Sequence, residues 1–445
     1  MTTDKSASLA QHSASSAASP ASAVSTASSA STGTATSGNP PSDRLSAGNQ
    51  QYPDGRKYYI FLVAYLVLLS AFGSFVNDMY LPTLPEMRRY FHCPVPTVQL
   101  GLTTGMIGLA VGQLFLGPLS DRYGRKSVLM ISMGVFIIGA IASVFSPTIH
   151  VFLLCRLVQG IGASGGYFLA RTVPADIYGG RPLAKMMALI GAINGFAPAS
   201  APVLGGLLAR DIHWQGIFLV LAGFAALLIL SGIFFHESLP ANRRESGPLR
   251  DMFREYGPLL RNKAFMTHVM LKGAALGLLF AYTSSAPFIM QEVYGFSELK
   301  FGLFMGFNSL FAAAGATFAL RFKVLKRAAW TGGWVMMLAT AVESLALFFV
   351  HDFWAYEASL LPMIFSMGMI FTAGNTLAMN EGRTNAGAAS AILGVGGYVF
   401  GAIVSPLVGL GDMLHSTAIV FLVMGAVTLL CSYGSRLLPA DLDRN

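Results

Sequence analysis

The chain has 445 residues, 54% of them hydrophobic and 11% charged, with a mean hydropathy of +0.58 and a formal net charge of +8. Soluble domains carry roughly 25% charged residues, so this composition excludes a water-soluble globular protein and points to an integral membrane protein. The three cysteines, Cys93, Cys155 and Cys431, are odd in number and scattered, which excludes a disulfide framework or a cysteine metal site.

Residues 1–51 are dominated by Ser, Ala, Thr and Gly. Such a segment cannot bury enough apolar surface to offset its ordering entropy, so it reads as a disordered tail. It also lacks the apolar core of a secretory signal.

Roughly 20 apolar residues cross a bilayer core. That length marks twelve spans, near Tyr58–Leu81, Val98–Leu119, Ser127–Phe145, Val151–Arg171, Leu183–Leu208 and Gln215–His236 in the first half. After a polar connection at 237–262 come Phe265–Met290, Leu299–Leu320, Ala329–Val350, Phe353–Leu377, Ala386–Leu410 and Thr417–Leu438. Residues 439–445 form a short tail. The long central connection divides the spans into two sixes, 58–236 and 263–438.

The bases set the orientation. Of 29 Lys and Arg, 23 fall in the N-terminal tail, the even-numbered connections and the C-terminal tail, four in the odd-numbered connections, and two, Arg156 and Lys272, inside spans. Both termini are therefore expected in the cytoplasm. The location of these bases explains the net charge without a nucleic-acid partner. Glycines four apart, as at Gly101/Gly105, Gly108/Gly112 and Gly162/Gly166, let helix backbones approach closely. Prolines inside spans, including Pro198, Pro202, Pro287 and Pro406, kink helices and free carbonyls.

Catalytic chemistry finds no support. Gly162-Ala163-Ser164-Gly165-Gly166 matches the spacing of a nucleophile elbow but lies mid-helix, outside the strand-turn-helix context that motif needs. The sequence contains no phosphate-binding loop and no H-E-x-x-H zinc motif, so no cofactor or metal is expected.

The stretch Gly117-Pro118-Leu119-Ser120-Asp121-Arg122-Tyr123-Gly124-Arg125-Lys126 resembles the signature loop of the major facilitator superfamily. Arg156-Leu157-Val158-Gln159-Gly160-Ile161-Gly162 resembles the helix 4 motif of its proton-coupled members. The run from Pro198 through Pro202 to Gly205 and Gly206 resembles the antiporter motif, with Ala201 where many antiporters carry glycine. Asn77-Asp78-Met79-Tyr80-Leu81-Pro82, Tyr282 to Phe288 and Ala388-Ala389-Ser390-Ala391 are similar to the Bcr/CflA drug-resistance branch.

The resemblance implies a twelve-helix, two-half transporter of the cytoplasmic membrane, working as a monomer on small molecules and protons. It implies that Asp121 faces the start of helix 11, near Asn385 and Ala386, where a carboxylate meets a positive helix end. Arg122, Arg125 and Lys126 complete that cytoplasmic gate, with Gly117 and Gly124 as its glycines. Charges inside spans are few and costly, so Asp78, towards the outer end of helix 1, reads as the proton carrier, with a helix-end cap as its alternative role, and Arg156, at comparable depth in helix 4, takes it as its nearest partner. The substrate cavity is expected to use Asn77, Tyr80, Asn194, Tyr282, Asn308 and Asn375, each of which has a helix–helix hydrogen bond as the alternative role. Lys272 reads as a side chain that snorkels to the cytoplasmic surface, and Glu343 as structural. The functional expectation is proton-coupled efflux of amphipathic compounds such as antibiotics. The alternatives are efflux of a metabolite (a sugar, amino acid or dipeptide) and a non-transporting receptor built on the same body.

Overall fold

The computed structural model describes residues 55–244, 254, 256–383 and 386–438. The tail expected at 1–51, much of the central connection and residues 439–445 lie outside the described residues. Helices α1 to α4 are Gly55–Asp78, Val95–Tyr123, Arg125–Val144 and Ile149–Ile177. The run Gly180–Gly232 supplies two more, α5 and α6, because His213 takes φ 54° and breaks it. Helices α7 to α12 are Lys263–Phe288, Glu298–Ala319, Leu325–Leu345, Phe353–Glu381, Ala386–Val404 and Met413–Leu437. Among the described residues, eleven helical runs are long and apolar enough to cross a membrane. The break at His213 makes the count twelve.

Local chemistry starts these helices where they begin. Thr148, Asn262, Ser297, Asp352 and Asp412 each accept a backbone N–H from the first turn of α4, α7, α8, α10 and α12, which satisfies donors a helix start leaves open. The turn between α2 and α3 is a single residue, Gly124 at φ 95°, a conformation that only glycine adopts without strain. Two basic-ended helices can therefore reverse within one residue.

Packing follows the small residues. A methyl group added at Gly108 would collide with the Leu157 carbonyl, and one at Gly160 with the Gly105 carbonyl, so the backbones of α2 and α4 touch. The same closeness joins the two halves, where Gly206 of α5 meets the Glu298 carbonyl and Gly302 of α8 meets the Pro202 carbonyl. Large apolar side chains such as Ile131 and Ile138 of α3 stay outward and exposed, as a helix bordering lipid requires.

The halves are joined by polar contacts at the face where α1 and α7 end. Gln99 Nε2 donates to the Ser284 carbonyl at 2.9 Å, Thr103 Oγ1 to Ala402 at 3.2 Å and Gln291 Nε2 to Pro82 at 2.8 Å. Arg88 pairs with Glu292 at 2.8 Å on the surface of that same face. At the opposite face, around Gly124, the contacts are different: Arg125, Asp176 and Glu237 are tied together within the first half.

If the α2–α4 contact is as tight as this, Gly108→Val should lower the thermal unfolding midpoint of the detergent-solubilised chain through about 1–3 kcal/mol of overpacking. Gly134→Ala, on α3 with nothing within 4 Å of its added methyl, is the control and should leave the midpoint unchanged or higher. Equal midpoints for the two variants would show that the contact is loose.

Candidate functional site

The chain bends sharply where α1 ends at Asp78, through a tight turn at Leu81–Thr83 into the short helix Leu84–Tyr90. The bend drives Tyr80 inward, to 0% exposure. Its ring lies 4.4 Å from the guanidinium carbon of Arg156, and Phe218 of α6 lies 5.6 Å from the same carbon. Arg156 is itself 1% exposed. Its Nη1 donates to Gln159 Oε1 at 2.7 Å and its Nε to the Gly101 carbonyl at 3.3 Å. Gln159 is fixed in turn by Ser143 Oγ at 2.8 Å and the Gly139 carbonyl at 3.1 Å. The guanidinium is thus held by two aromatic faces and an amide–carbonyl network that spans α2, α3 and α4.

The expected pairing of Asp78 with Arg156 is corrected here. Among the described residues no ion pair joins them: the in-plane donors Nε and Nη1 of Arg156 go to the Gly101 carbonyl and Gln159 Oε1, and its face is covered by the Tyr80 ring. Tyr80 is the residue within electrostatic range of both. Asp78 is half-buried at the end of α1, beside Met79, whose carbonyl meets Gly205 of α5. Asn77, its neighbour, is likewise half-buried. The antiporter-like run sits at the seam between the halves: Gly205 packs on the Met79 carbonyl and Gly206 and Pro202 pack on α8.

The signature loop forms a charge cluster on the Gly124 face. Arg125, only 5% exposed, lies between two carboxylates, with Nη1 2.7 Å from Asp121 and Nε 2.8 Å from Asp176. Its Nη1 also donates to Ser120 Oγ at 2.6 Å. Glu237, just after α6, accepts the backbone N–H groups of Arg125 and Lys126 at 2.8 and 3.2 Å. Lys126 Nζ donates to the Ile233 carbonyl at 2.8 Å, and Arg122 stacks on Tyr123. Gly117, one turn before the cluster, packs on Phe168. The partner expected for Asp121, near Asn385, lies outside the described residues. Asp176 and Glu237 were missed in the sequence. Each is an acid at the end of a long apolar run, α4 and α6 respectively, which marks it in sequence without revealing that the two ends meet at Arg125.

Of the residues expected to line the cavity, Tyr282 and Asn308 are buried against each other, Asn308 Nδ2 donating to the Tyr282 hydroxyl at 2.9 Å. Asn375 Oδ1 accepts from Lys272 Nζ at 3.0 Å. Lys272 does not snorkel outward: it is 7% exposed and its Nζ lies 4.8 Å from the Phe371 ring centroid. The side chain of Asn194 lies outside the described residues. Glu343 is fully buried and accepts a hydrogen bond from Ser359 Oγ, with the buried Glu357 beside Asn308 in the same region. Arg171, the last residue of the span expected at Val151–Arg171, lies inside α4, which continues six residues beyond it.

The Major Facilitator Superfamily model matches residues 66–406. The chain belongs to that superfamily. Among curated members, it is 34% identical over 372 residues to the uncharacterized MFS-type transporter YdgK of Bacillus subtilis (strain 168), covering 81% of this chain and 91% of that one. It is 26% identical over 387 residues to multidrug resistance protein D of Escherichia coli (strain K12), covering 84% and 96%. Among solved structures it superposes on the partially occluded inward-open xylose transporter XylE from E. coli with TM-score 0.69 and 14% identity, covering 86% and 98%. A bacterial homolog of the human lysosomal transporter Spinster gives TM-score 0.70 at 14% identity, covering 86% and 100%. The chain is a multi-pass superfamily transporter, and no enzyme.

The Arg156 network yields a specific expectation. Lysine cannot supply two donors in a fixed fork together with a flat stacking face. Arg156→Lys should therefore lower the unfolding midpoint, with hydrogen bonds to a charged group contributing about 1.5–3 kcal/mol. Tyr80→Phe keeps the stacking ring and should lower it less. The opposite order would mean that the Tyr80 hydroxyl contributes more than the guanidinium fork and its flat face.

Proposed function

We propose that this transporter exports small amphipathic compounds, antibiotics among them, across the cytoplasmic membrane in exchange for protons. The observation that carries the reading is the position of Asp78, a half-buried acid at the bend of α1, next to Met79, on whose carbonyl Gly205 packs while the adjoining Gly206 meets α8 of the other half. An ionisable group inside a membrane bundle is costly unless it serves a pathway. A carboxylate at the seam can take a proton from one side and surrender it to the other as the halves rock. Relatives named for multidrug resistance support the choice of substrate class. The 23-to-four distribution of bases supports cytoplasmic termini, which puts the Gly124 cluster at the inner gate and the Arg88–Glu292 pair at the outer one.

In this scheme Asp121, Arg125, Asp176 and Glu237 form a latch. With the inner side open, Arg125 is retained within the first half. With that side closed, Asp121 is available to the start of α11. The single-residue turn at Gly124 keeps the two helix ends close enough for one cluster to serve both arrangements. The carrier is proposed to work as a monomer.

Expression in a host stripped of its own exporters tests this. Wild type should raise resistance to several amphipathic antibiotics severalfold over the empty host, and an uncoupler should abolish the gain. Asp78→Asn should be inserted normally and give no proton-coupled efflux in everted vesicles. Asp121→Asn should be inserted normally and transport slowly. Uncoupler-insensitive resistance, or full exchange by Asp78→Asn, would refute the coupling. A strain that accumulates a metabolite and shows no drug phenotype would favour metabolite export.

A further inference from the structure

Two cations inside the bundle are not used by the coupling scheme. Arg171 sits six residues from the Gly124-face end of α4, and its Nη2 donates to the Tyr167 hydroxyl at 2.8 Å while the guanidinium carbon lies 4.3 Å from that ring centroid. Lys272 sits nine residues into α7, held by Asn375 Oδ1 at 3.0 Å and lying over Phe371 of α10. The two helices belong to opposite halves and run in opposite directions, so both cations lie at similar depth on the Gly124 side. They are close enough for the charge of Arg171 to act on Lys272. Tyr398 of α11 is within range of Arg171 and Tyr167.

Among the described residues neither cation has a salt bridge to an acid: their partners are a phenol and an amide. Like charges drawn together in a low dielectric repel, and unpaired cations in a membrane bundle mark a path for something of opposite sign. The surrounding rings offer flat apolar contact, and the arginine fork suits a planar oxyanion.

We infer that Arg171 and Lys272 form a binding site for the anionic group of an aromatic substrate, a carboxylate or sulfonate, with its ring among Tyr167, Phe371 and Tyr398. This rests on the efflux reading and sharpens it, because it assigns the substrates a negative charge. The site spans both halves, so an anion bridging Arg171 and Lys272 would draw α4 and α7 together and favour closure of the side it entered from.

The test is equilibrium binding of three matched probes to the full chain in phosphatidylcholine nanodiscs: tritiated 2-naphthoate, its neutral amide and 2-naphthylmethylammonium. Naphthoate should bind at least about tenfold more tightly than either of the others. Arg171→Met and Lys272→Met should each remove that preference while amide binding persists, which also reports that the variants are folded; Lys272→Arg should retain it. Equal binding of the three probes by wild type, preference for the ammonium, or preference surviving in either Met variant would overturn the assignment. Repeating the measurement with phosphatidylglycerol in the discs separates the two sources of anion. Unchanged naphthoate binding supports a substrate site, and displacement by the lipid would give the site to a headgroup instead. Failure of the efflux reading has a different signature, absence of uncoupler-sensitive resistance, and leaves this order of binding untouched.

Discussion

A permanently charged guanidinium buried at Arg156 is the constraint on which much of the first half depends. Burial of such a charge without compensation would cost several kcal/mol. Compensation comes without a carboxylate: two aromatic faces, one amide oxygen and one backbone carbonyl share the charge. Each of those partners restricts its own helix. Gly105 leaves room for the guanidinium, since a methyl there would stand 2.9 Å from Nη2 and push it aside. Gln159 must be tied to α3, and Tyr80 must be turned inward by the bend after Asp78. The close approach of α2 to α4 and the placement of Asp78 at the seam both follow from this arrangement.

The asymmetry between the two faces follows from the same economy of polar groups. At the Arg88 face the halves exchange side-chain-to-carbonyl hydrogen bonds and one exposed ion pair. Exposed ion pairs contribute roughly 0–1 kcal/mol, so this joint can open without a large penalty. At the Gly124 face Arg125 is saturated by Asp121, Asp176 and Ser120 on its own half. Carboxylates with a ready alternative partner suit a gate, because opening it leaves no charge stranded. The glycine contacts of α5 with α8 provide close-packed backbone surfaces between the halves, and these suit small rotations better than interdigitated large side chains would.

Much of the fold was legible because membranes simplify the code. Length, hydropathy and the alternation of bases define spans almost independently of tertiary structure, and the spacing in Gly117 to Lys126 identifies its loop without an alignment. The errors have a common origin in what a 20-residue ruler and a composition count leave out. Helix α4 has 29 residues, about 43 Å at 1.5 Å per residue, so it extends past the hydrocarbon core and carries Arg171 inside a helix that the ruler ended there. Lys272 was read as snorkelling because its depth is visible in sequence while its rotation about the α7 axis is not. The Asp78–Arg156 pairing failed for a similar reason. Comparable depth does not reveal that Tyr80, two residues on, turns its ring onto the face of the guanidinium. Glu357 drew no attention in sequence, since an acid near the start of a span looks like a helix-end residue until Asn308 is found beside it.

The proposed rocking about the Arg88 face is the claim that links latch, seam and cavity, and it can be read as a distance. Spin labels at Tyr123→Cys and Lys323→Cys, both exposed residues on the Gly124 face of opposite halves, can be placed in a chain whose three native cysteines are replaced. Double electron–electron resonance on this chain in nanodiscs should give two distance populations, the shorter one growing when a transported substrate is added and shrinking in Asp121→Asn. A single distance, unmoved by substrate and by the loss of the Asp121 charge, would contradict it.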